Sequence, residues 1–270
     1  MAVDHYENFP VASVLLPREL RRPVELIYAF ARRADDFADE GDWPGSERLA
    51  RLDGFSRELD RLERGEPPGE ALFAELAPVV AAYRLPIELF RDLLSAFSQD
   101  VVKSRYADFG EVMDYCRRSA NPVGRLLLHL YGAAEPGNLA CSDAICSSLQ
   151  LINFWQDVEI DFRKNRVYLP QDEMAEYGVS ESQIANREAD EAWRALMLFQ
   201  IERTQAMMDT GAPLGRRLPG RIGLELRMIV AGGSRILHKL RDSEGDVFRH
   251  RPLLGPMDWA LMFCRSLAVR

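Results

Sequence analysis

Apolar residues recur along almost the whole chain at spacings of three and four, with charged residues between them. This periodicity is typical of amphipathic helices. Alternating apolar and polar runs bounded by turn residues, which would indicate strands, are hard to find. No low-complexity linker or solenoid repeat divides the sequence. The pattern therefore predicts an all-α fold in a single domain over residues 1–270.

Glycine and proline mark where the predicted helices end. The first helix is predicted to begin at Pro23, a residue favoured in the first turn, and to end before Gly41. Further helices are predicted over residues 46–65, 69–83, 86–101, 108–131, 140–162, 181–211, 219–242 and 256–268. Pro122 interrupts the helix predicted over 108–131, either as a kink or as a break between two helices.

The first helix carries a polar stripe that ends in two aspartates. Tyr28, Arg32, Asp35 and Asp39 fall on one narrow face at about 100° per residue, beside the predicted core face. Further acidic residues crowd the same turns, where the helix dipole disfavours each anion by about 0.3–1 kcal/mol. A solvated acidic face is the alternative interpretation, but the placement favours a function that binds cations.

A second stripe lies on the segment SSLQLINFWQDVEIDF, which is apolar nearly all the way round and is predicted to be buried. Gln150, Asn153, Asp157 and Asp161 interrupt it on one face. Buried carboxylates and amides require partners. A hydrogen-bond network could supply them, but two matching DxxxD pairs favour opposed carboxylates that hold divalent ions.

The ligand chemistry of these pairs points to magnesium and phosphate. Mg²⁺ prefers oxygen ligands and typically binds one or two carboxylates, waters and substrate phosphate oxygens. Arg32 flanks the first pair, and Arg163, Lys164 and Arg166 follow the second; arginine forks suit diphosphate oxygens. Phosphate loops of the Walker or Rossmann type are absent from the sequence. We therefore expect a magnesium-dependent enzyme that ionises a diphosphate ester in an apolar pocket.

Composition limits which partners the protein is expected to bind and where in the cell it is expected to be. A net charge of −8 and a pI near 5.2 argue against binding to nucleic acid. The N-terminal end lacks the pattern of a secretory signal, and no apolar run is long enough for a membrane span, so a cytoplasmic protein is expected. A lipid substrate would still allow peripheral contact with the inner membrane. The four cysteines, predicted to be reduced packing residues, are Cys116, Cys141, Cys146 and Cys264.

Three segments in order resemble the squalene/phytoene synthase family, and the resemblance covers essentially the whole chain. IYAFARRADDFAD is similar to the first aspartate-rich motif of that family, YCRRSANPVG to its central pocket helix, and LQLINFWQDVEIDFRKNRVYLP to its second aspartate-rich motif. The resemblance implies the helical isoprenoid-synthase fold, with a central active-site cavity and carboxylates near its mouth.

The resemblance also implies roles for individual residues. The residues implied to hold magnesium are Asp35, Asp39, Asp157 and Asp161. Those implied to bind or orient the diphosphate are Arg32, Gln150, Asn153, Arg166 and Tyr168. The implied pocket tyrosines are Tyr28 and Tyr115, and the positions implied to line the cavity floor are Ser119, Ala120, Val123 and Gly124. Arg249 and Arg251 are further candidates for the diphosphate, with a solvated basic turn as the alternative.

One residue departs from the pattern of most family members, which carry arginine immediately before the third aspartate, whereas this chain has Gln156. With the opening segment HYENFPVASVLLP, this departure resembles the branch that converts presqualene diphosphate to hydroxysqualene. That reaction expels one diphosphate, rearranges the cation and captures water, with no NADPH expected.

Other activities stay open at this point. The nearest alternative is head-to-head condensation of two farnesyl or geranylgeranyl diphosphates, to presqualene diphosphate, squalene or phytoene. A non-catalytic assembly factor on the same fold is an alternative of another class. The residue that would position the captured water also stays open among Tyr28, Tyr115, Ser119 and Asn121.

Overall fold

The computed structural model of the protein describes residues 16–249 and 251–268, which form an all-α structure. The helices of the first half are α1 Arg18–Asp39, α2 Gly45–Glu63, α3 Ala71–Tyr83, α4 Ile87–Val102, α5 Phe109–Ser119 and α6 Asn121–Leu130. Those of the second half are α7 Pro136–Gln156, α8 Val158–Arg163, α9 Gln171–Glu176, α10 Glu181–Asn186, α11 Glu191–Gly211, α12 Leu214–Arg217, α13 Gly220–Asp242 and α14 Pro256–Ala268. The all-α prediction is confirmed. Residues 5–15 of the segment HYENFPVASVLLP lie outside the described range.

Two predicted helix starts are wrong. α1 begins at Arg18, so Pro23 lies inside the helix rather than at its first turn. The core contacts of Leu20 and Val24, both buried, hold the extra turn in place despite the backbone hydrogen bond that proline removes. α7 begins at Pro136, four residues before the predicted start, with proline in its first turn.

Three predicted helices are each divided in two. Ala120 separates α5 from α6, so Pro122 stands in the first turn of a new helix. Asp157 separates α7 from α8. Arg187 ends α10 with a left-handed φ of 58°, and Asp190 then caps α11 by accepting a hydrogen bond from the backbone N–H of Trp193 at 2.9 Å.

The buried side chains form two clusters. The N-terminal core lies among α1–α4 and centres on Phe30, whose ring centroid is 5.0 Å from that of Phe90 and 5.8 Å from that of Phe73. The C-terminal core surrounds α7, α11 and α13 and includes the fully buried Trp155 and Trp193. The two cores meet at α4 and α6, which contribute residues to both.

Two further features of the described residues bear on the predictions. The thiols of Cys116, Cys141 and Cys146 are free, as predicted. Within residues 16–249 and 251–268, no helix is both long and apolar enough to cross a membrane.

Candidate active site

The first polar stripe occupies one side of α1, next to its core face. Phe30 and Ala34 of the core face are fully buried, whereas Tyr28, Asp35 and Asp39 are half-buried. Arg32 lies among the acidic residues of the last turns. Its guanidinium is 2.9 Å from the carboxylate of Asp36, 3.4 Å from Asp35 and 3.2 Å from Glu40.

The second polar stripe runs across the junction of α7 and α8. The backbone N–H of Asp157 donates to the carbonyl of Asn153 at 2.9 Å, and that of Asp161 donates to the carbonyl of Asp157 at 2.8 Å. Helical hydrogen bonding is therefore kept on either side of the break, and Asn153, Asp157 and Asp161 stay in register as one stripe. The prediction that the segment is buried is confirmed for most of its apolar residues, whereas the stripe is less buried, with Asn153 exposed and Gln150, Asp157 and Asp161 half-buried. The buried side chains of α7 are mainly the apolar residues beside the stripe.

A turn after α8 brings the two stripes together. Asn165 adopts a left-handed φ of 61°, a conformation that asparagine tolerates well. The turn directs Lys164 Nζ to 3.4 Å from Oδ2 of Asp39, and Arg166 Nη2 to 2.6 Å from Oδ1 of the same residue. Arg166 also donates to the backbone carbonyl of Asp100 at 3.2 Å. The basic residues that follow the second aspartate pair thus contact the first pair.

The nearby cations are shared unevenly among the four aspartates, because Asp39 contacts both Lys164 and Arg166, and Asp157 contacts Arg251. Burial, with the neighbouring Asp39, raises the pKa of Asp35 to about 6. Burial, with the neighbouring Asp157, raises the pKa of Asp161 to about 7. Burial is the largest single influence on Asp39 and raises its pKa, but the hydrogen bonds and charges of Arg166 and Lys164 together outweigh burial and leave the pKa of Asp39 lowered. Among residues 16–249 and 251–268, no side chain forms a hydrogen bond or ion pair with the carboxylate of Asp161, although the charges of Arg166 and Lys164 act on it from further away. A divalent cation would relieve this repulsion.

The donor atoms fit magnesium. The described residues contain no group of three or more histidine, cysteine or acidic side chains that forms a complete metal site. Mg²⁺ needs no such group, because it keeps several waters and shares phosphate oxygens with one or two carboxylates. Asp35 and Asp161, whose pKa values are raised, are the carboxylates with most to gain from a bound cation.

The C-terminal segment closes over the end of α7 through two adjacent contacts. Arg251 donates to both carboxylate oxygens of Asp157, with Nη2 3.0 Å from Oδ2. Gln156 is buried, and its Nε2 donates to the carbonyl of Pro252 at 2.6 Å. Of the two arginine candidates, Arg251 therefore reaches the site, whereas the exposed Arg249 pairs with Asp246.

An aromatic group lies beside the aspartates. Tyr168 stacks on Phe154 with ring centroids 3.7 Å apart, and Tyr115 lies 5.8 Å from Tyr168 and 5.9 Å from Phe154. All three residues are buried. The faces of such rings can stabilise a cation, and Tyr115 reaches the side chain of Asp100, while the predicted roles of Tyr115 and Tyr168 in the pocket stay predictions.

Asp100 is a functional candidate that the sequence reasoning missed. Its Oδ2 accepts a hydrogen bond from the hydroxyl of Tyr115 at 2.7 Å. Burial raises the pKa of Asp100 to about 7. A signal was present in the sequence, because Asp100 follows Leu93, Ala96 and Phe97 at helical spacing and so continues the core stripe of α4.

The central segment occupies the junction of α5 and α6. Ser119 and Ala120 lie at the break, and Val123 is half-buried on α6. Gly124 is buried against α7, where an added Cβ would overlap Ser142 Oγ and Cys146 Sγ. The structure thus shows a packing reason for this glycine, and its predicted place in the cavity floor stays a prediction.

A cavity of about 440 Å³ opens beside Asp39, between the ends of α1 and α4 and the turn that follows α8. Polar and charged residues supply much of its wall, including Asp39, Arg48, Asp100, Lys103, Lys164 and Arg166. A volume of this size, with several cations and two aspartates, suits a polyphosphate group. Fold and site together suit an all-helical enzyme whose substrate carries a diphosphate group.

Comparison with known proteins supports this class. A model of the squalene/phytoene synthase family matches residues 2–258. The chain belongs to the squalene/phytoene synthase family. A hydroxysqualene synthase from Rhodopseudomonas palustris is 36% identical over 257 residues, which are 94% of this chain and 86% of the relative. A 15-cis-phytoene synthase from Synechococcus elongatus is 30% identical over 257 residues, 91% of this chain and 83% of the relative.

Solved structures agree on the fold. The squalene synthase HpnC from Alicyclobacillus acidocaldarius superposes with a TM-score of 0.82 at 35% identity, covering 89% of this chain and 90% of that chain. A dehydrosqualene synthase superposes with a TM-score of 0.83 at 20% identity, covering 94% of this chain and 88% of that chain. The predicted isoprenoid-synthase fold is confirmed.

Proposed function

We propose that the protein converts presqualene diphosphate to hydroxysqualene with Mg²⁺ and without NADPH. The observation that carries this proposal is the position of Gln156. Most family members have a cation there, but here a neutral amide is buried and bonded to the carbonyl of Pro252. A substrate with one diphosphate needs fewer cations than a condensation of two. The similarity to hydroxysqualene synthases points in the same direction.

In this proposal each part of the reaction has residues that would supply it. Arg166 and Lys164 would bind diphosphate oxygens as the carbon–oxygen bond breaks and its electron pair leaves with the diphosphate. Mg²⁺, held by Asp35, Asp39, Asp157 and Asp161, would add positive charge for the leaving group. The buried aromatic rings would face the carbocation while it rearranges. Water then forms the new carbon–oxygen bond and loses one proton.

Head-to-head condensation is the second candidate. Its support is the phytoene synthase from Synechococcus elongatus, to which the chain is also similar along most of its length. The cavity is lined by Lys103 and Arg48 in addition to Lys164 and Arg166. These additional cations would suit a second diphosphate.

Product analysis separates the candidates. The purified protein would be incubated with Mg²⁺ and presqualene, farnesyl or geranylgeranyl diphosphate, each with and without NADPH. We expect hydroxysqualene from presqualene diphosphate under both conditions and no turnover of the other two substrates. Squalene formed only with NADPH, or phytoene from geranylgeranyl diphosphate, would overturn the proposal.

Two variants address the non-catalytic alternative. Asp35→Asn and Asp157→Asn keep the shape of each side chain and remove its charge, so we expect each to lower turnover by about 10²-fold or more. Folded variants that retain full function in cells would favour an assembly factor.

A further inference from the structure

We infer that Asp100 accepts the proton of the water that the carbocation captures, while Tyr115 holds the second carboxylate oxygen of Asp100 in place. This inference rests on the proposed function and names a catalytic residue for its last step. It concerns a carboxylate outside both aspartate pairs.

Asp100 stands between the two parts of the site. On one side, Arg166 joins the backbone of Asp100 to the carboxylate of Asp39, where the diphosphate would bind. On the other side, Tyr115 joins the side chain of Asp100 to the aromatic group that includes Tyr168. A carbocation separated from its diphosphate within this site would therefore be close to Asp100.

The two carboxylate oxygens of Asp100 have different surroundings. Oδ2 accepts the hydrogen bond from Tyr115 at 2.7 Å. Oδ1 is also buried, but it has no hydrogen-bond partner among the residues described. Buried carboxylate oxygens are rarely left without a donor, and a bound water is the ordinary way to satisfy one. Oδ1 is therefore a ready acceptor for one O–H of a water molecule.

The chemistry of capture needs such an acceptor. The water oxygen forms a bond to the cationic carbon, one of its O–H bonds breaks, and the proton moves to Oδ1 of Asp100. The products are the alcohol, free diphosphate and, once Asp100 returns its proton to solvent, one H⁺. Asp100 is suited to this step because a buried carboxylate oxygen without a donor, next to the predicted diphosphate site, is placed to act as a general base.

The other polar residues nearby are less suitable. Asn121 is buried, and its Oδ1 accepts a hydrogen bond from Ser147 at 2.9 Å. The hydroxyl of Ser119 is buried without a hydrogen-bond partner among the described residues, but a serine hydroxyl is too weak a base to retain a proton. Tyr115 donates its own proton to Asp100, so it orients the acceptor.

The test is Asp100→Asn, which preserves the shape and lets the new amide oxygen still accept from Tyr115. With presqualene diphosphate and Mg²⁺, diphosphate release and the fraction of product that is alcohol would be measured separately. We expect release to change by less than about fivefold and the alcohol fraction to fall by about tenfold or more, with alkenes in its place. Asp92→Asn, on the same helix and paired with Arg117, is the matched control.

Three results would decide against Asp100 or against the proposed function. An unchanged alcohol fraction in folded Asp100→Asn overturns the inference, and so does equal loss of alcohol and diphosphate release. If the wild-type protein releases no diphosphate from presqualene diphosphate, the proposed function fails instead. Should Asp100→Asn not fold, Tyr115→Phe serves in its place, because an unchanged alcohol fraction there would equally overturn the inference.

Discussion

At the scale of single residues, the sequence predicts the members of the site better than their contacts. Helical spacing alone predicts that Asp35 and Asp39 share one helix face, and that Asp157 and Asp161 share another. The contact between Arg251 and Asp157 joins residues 94 positions apart, and no periodicity within one helix reports it. Asp100 was detectable as an acid on a core stripe, but its hydrogen bond from Tyr115 depends on how α4 and α5 pack.

Asp161→Asn tests the electrostatic strain in the site. The folded protein raises the pKa of this carboxyl from 3.8 to about 7. Between those values the folded state binds more protons than the unfolded state, so the contribution of Asp161 to stability falls as pH rises through this window. At pH 8, in the absence of metal, we expect the neutral variant to melt about 2–4 °C higher than the wild type. Thermal unfolding followed by circular dichroism measures this.

The same substitution should separate stability from activity. Because the variant loses a predicted magnesium ligand, we expect turnover to fall by about 10²-fold or more while stability rises. The difference in melting temperature should shrink at pH 5, where the wild-type carboxyl is itself protonated. A variant that is less stable than the wild type at pH 8 would show that the carboxylate makes a favourable contact in the metal-free protein.

At the scale of helices, the sequence predicts the long helices well, but it misses the short helices α9 and α12 and predicts interruptions poorly. Pro122 signals the break between α5 and α6, but the break at Asp157 has no glycine or proline beside it. There the chain keeps its helical hydrogen bonds on either side, so the hydrophobic pattern continues without change. Tertiary contacts, such as those of Arg251 and Pro252 at the end of α7, are not encoded in local propensity.

Gly124→Ala probes the contact of α6 with α7. The added methyl would overlap Ser142 Oγ and Cys146 Sγ, so the helices must separate or the side chains must shift. We expect a loss of about 1–3 kcal/mol in the free energy of unfolding, measured by urea titration. Gly54→Ala in α2 is the control, since its nearest neighbour is the flexible end of Arg57 at 3.8 Å. That control should be neutral or stabilising, and equal effects at both sites would rule out the clash.

Gln156→Met tests whether the amide anchors the C-terminal segment. Methionine has a similar length but cannot donate to the carbonyl of Pro252, so Arg251 should lose its fixed position over Asp157. We expect the KM for the diphosphate substrate to rise several-fold, with a smaller change in kcat. A rise of that size corresponds to the loss of one hydrogen bond worth roughly 1 kcal/mol of binding free energy.

A double-mutant cycle identifies the anchor. If Gln156 acts through Arg251, the combination of Gln156→Met with Arg251→Met should cost less than the sum of the single effects. Arg249→Met, in the same segment but paired with Asp246 at the surface, should combine additively with Gln156→Met. Additive effects of Gln156→Met and Arg251→Met would show that the two contacts are independent.

At the scale of the whole molecule, the site lies where the two cores meet. Asp39 belongs to α1 of the N-terminal core, and Lys164 and Arg166 follow α8 beside the C-terminal core. The sequence predicts the helices of each core from their periodicity, and the family resemblance predicts that the two motifs share one cavity. The sequence does not predict which helices contribute to both cores. α4 and α6 do so through residues on different faces, and a hydrophobic pattern does not show which core each face contacts.

This arrangement predicts that magnesium and diphosphate stabilise the fold together. Neither ligand alone satisfies both the aspartates and the basic residues of the site. Magnesium alone lacks phosphate oxygens as further ligands, and pyrophosphate alone is repelled by the four aspartates. At about 100 times the dissociation constant, a ligand that binds only the folded state adds about 2.7 kcal/mol, or roughly 5–10 °C in Tm for a chain of this size. We therefore expect inorganic pyrophosphate with MgCl₂ to raise Tm by that amount, and each alone to raise it by about 2 °C or less.

Asp35→Asn should weaken the joint effect, whereas Asp92→Asn should retain it. An equal rise with pyrophosphate alone would show that Arg166 and Lys164 hold the diphosphate without the metal.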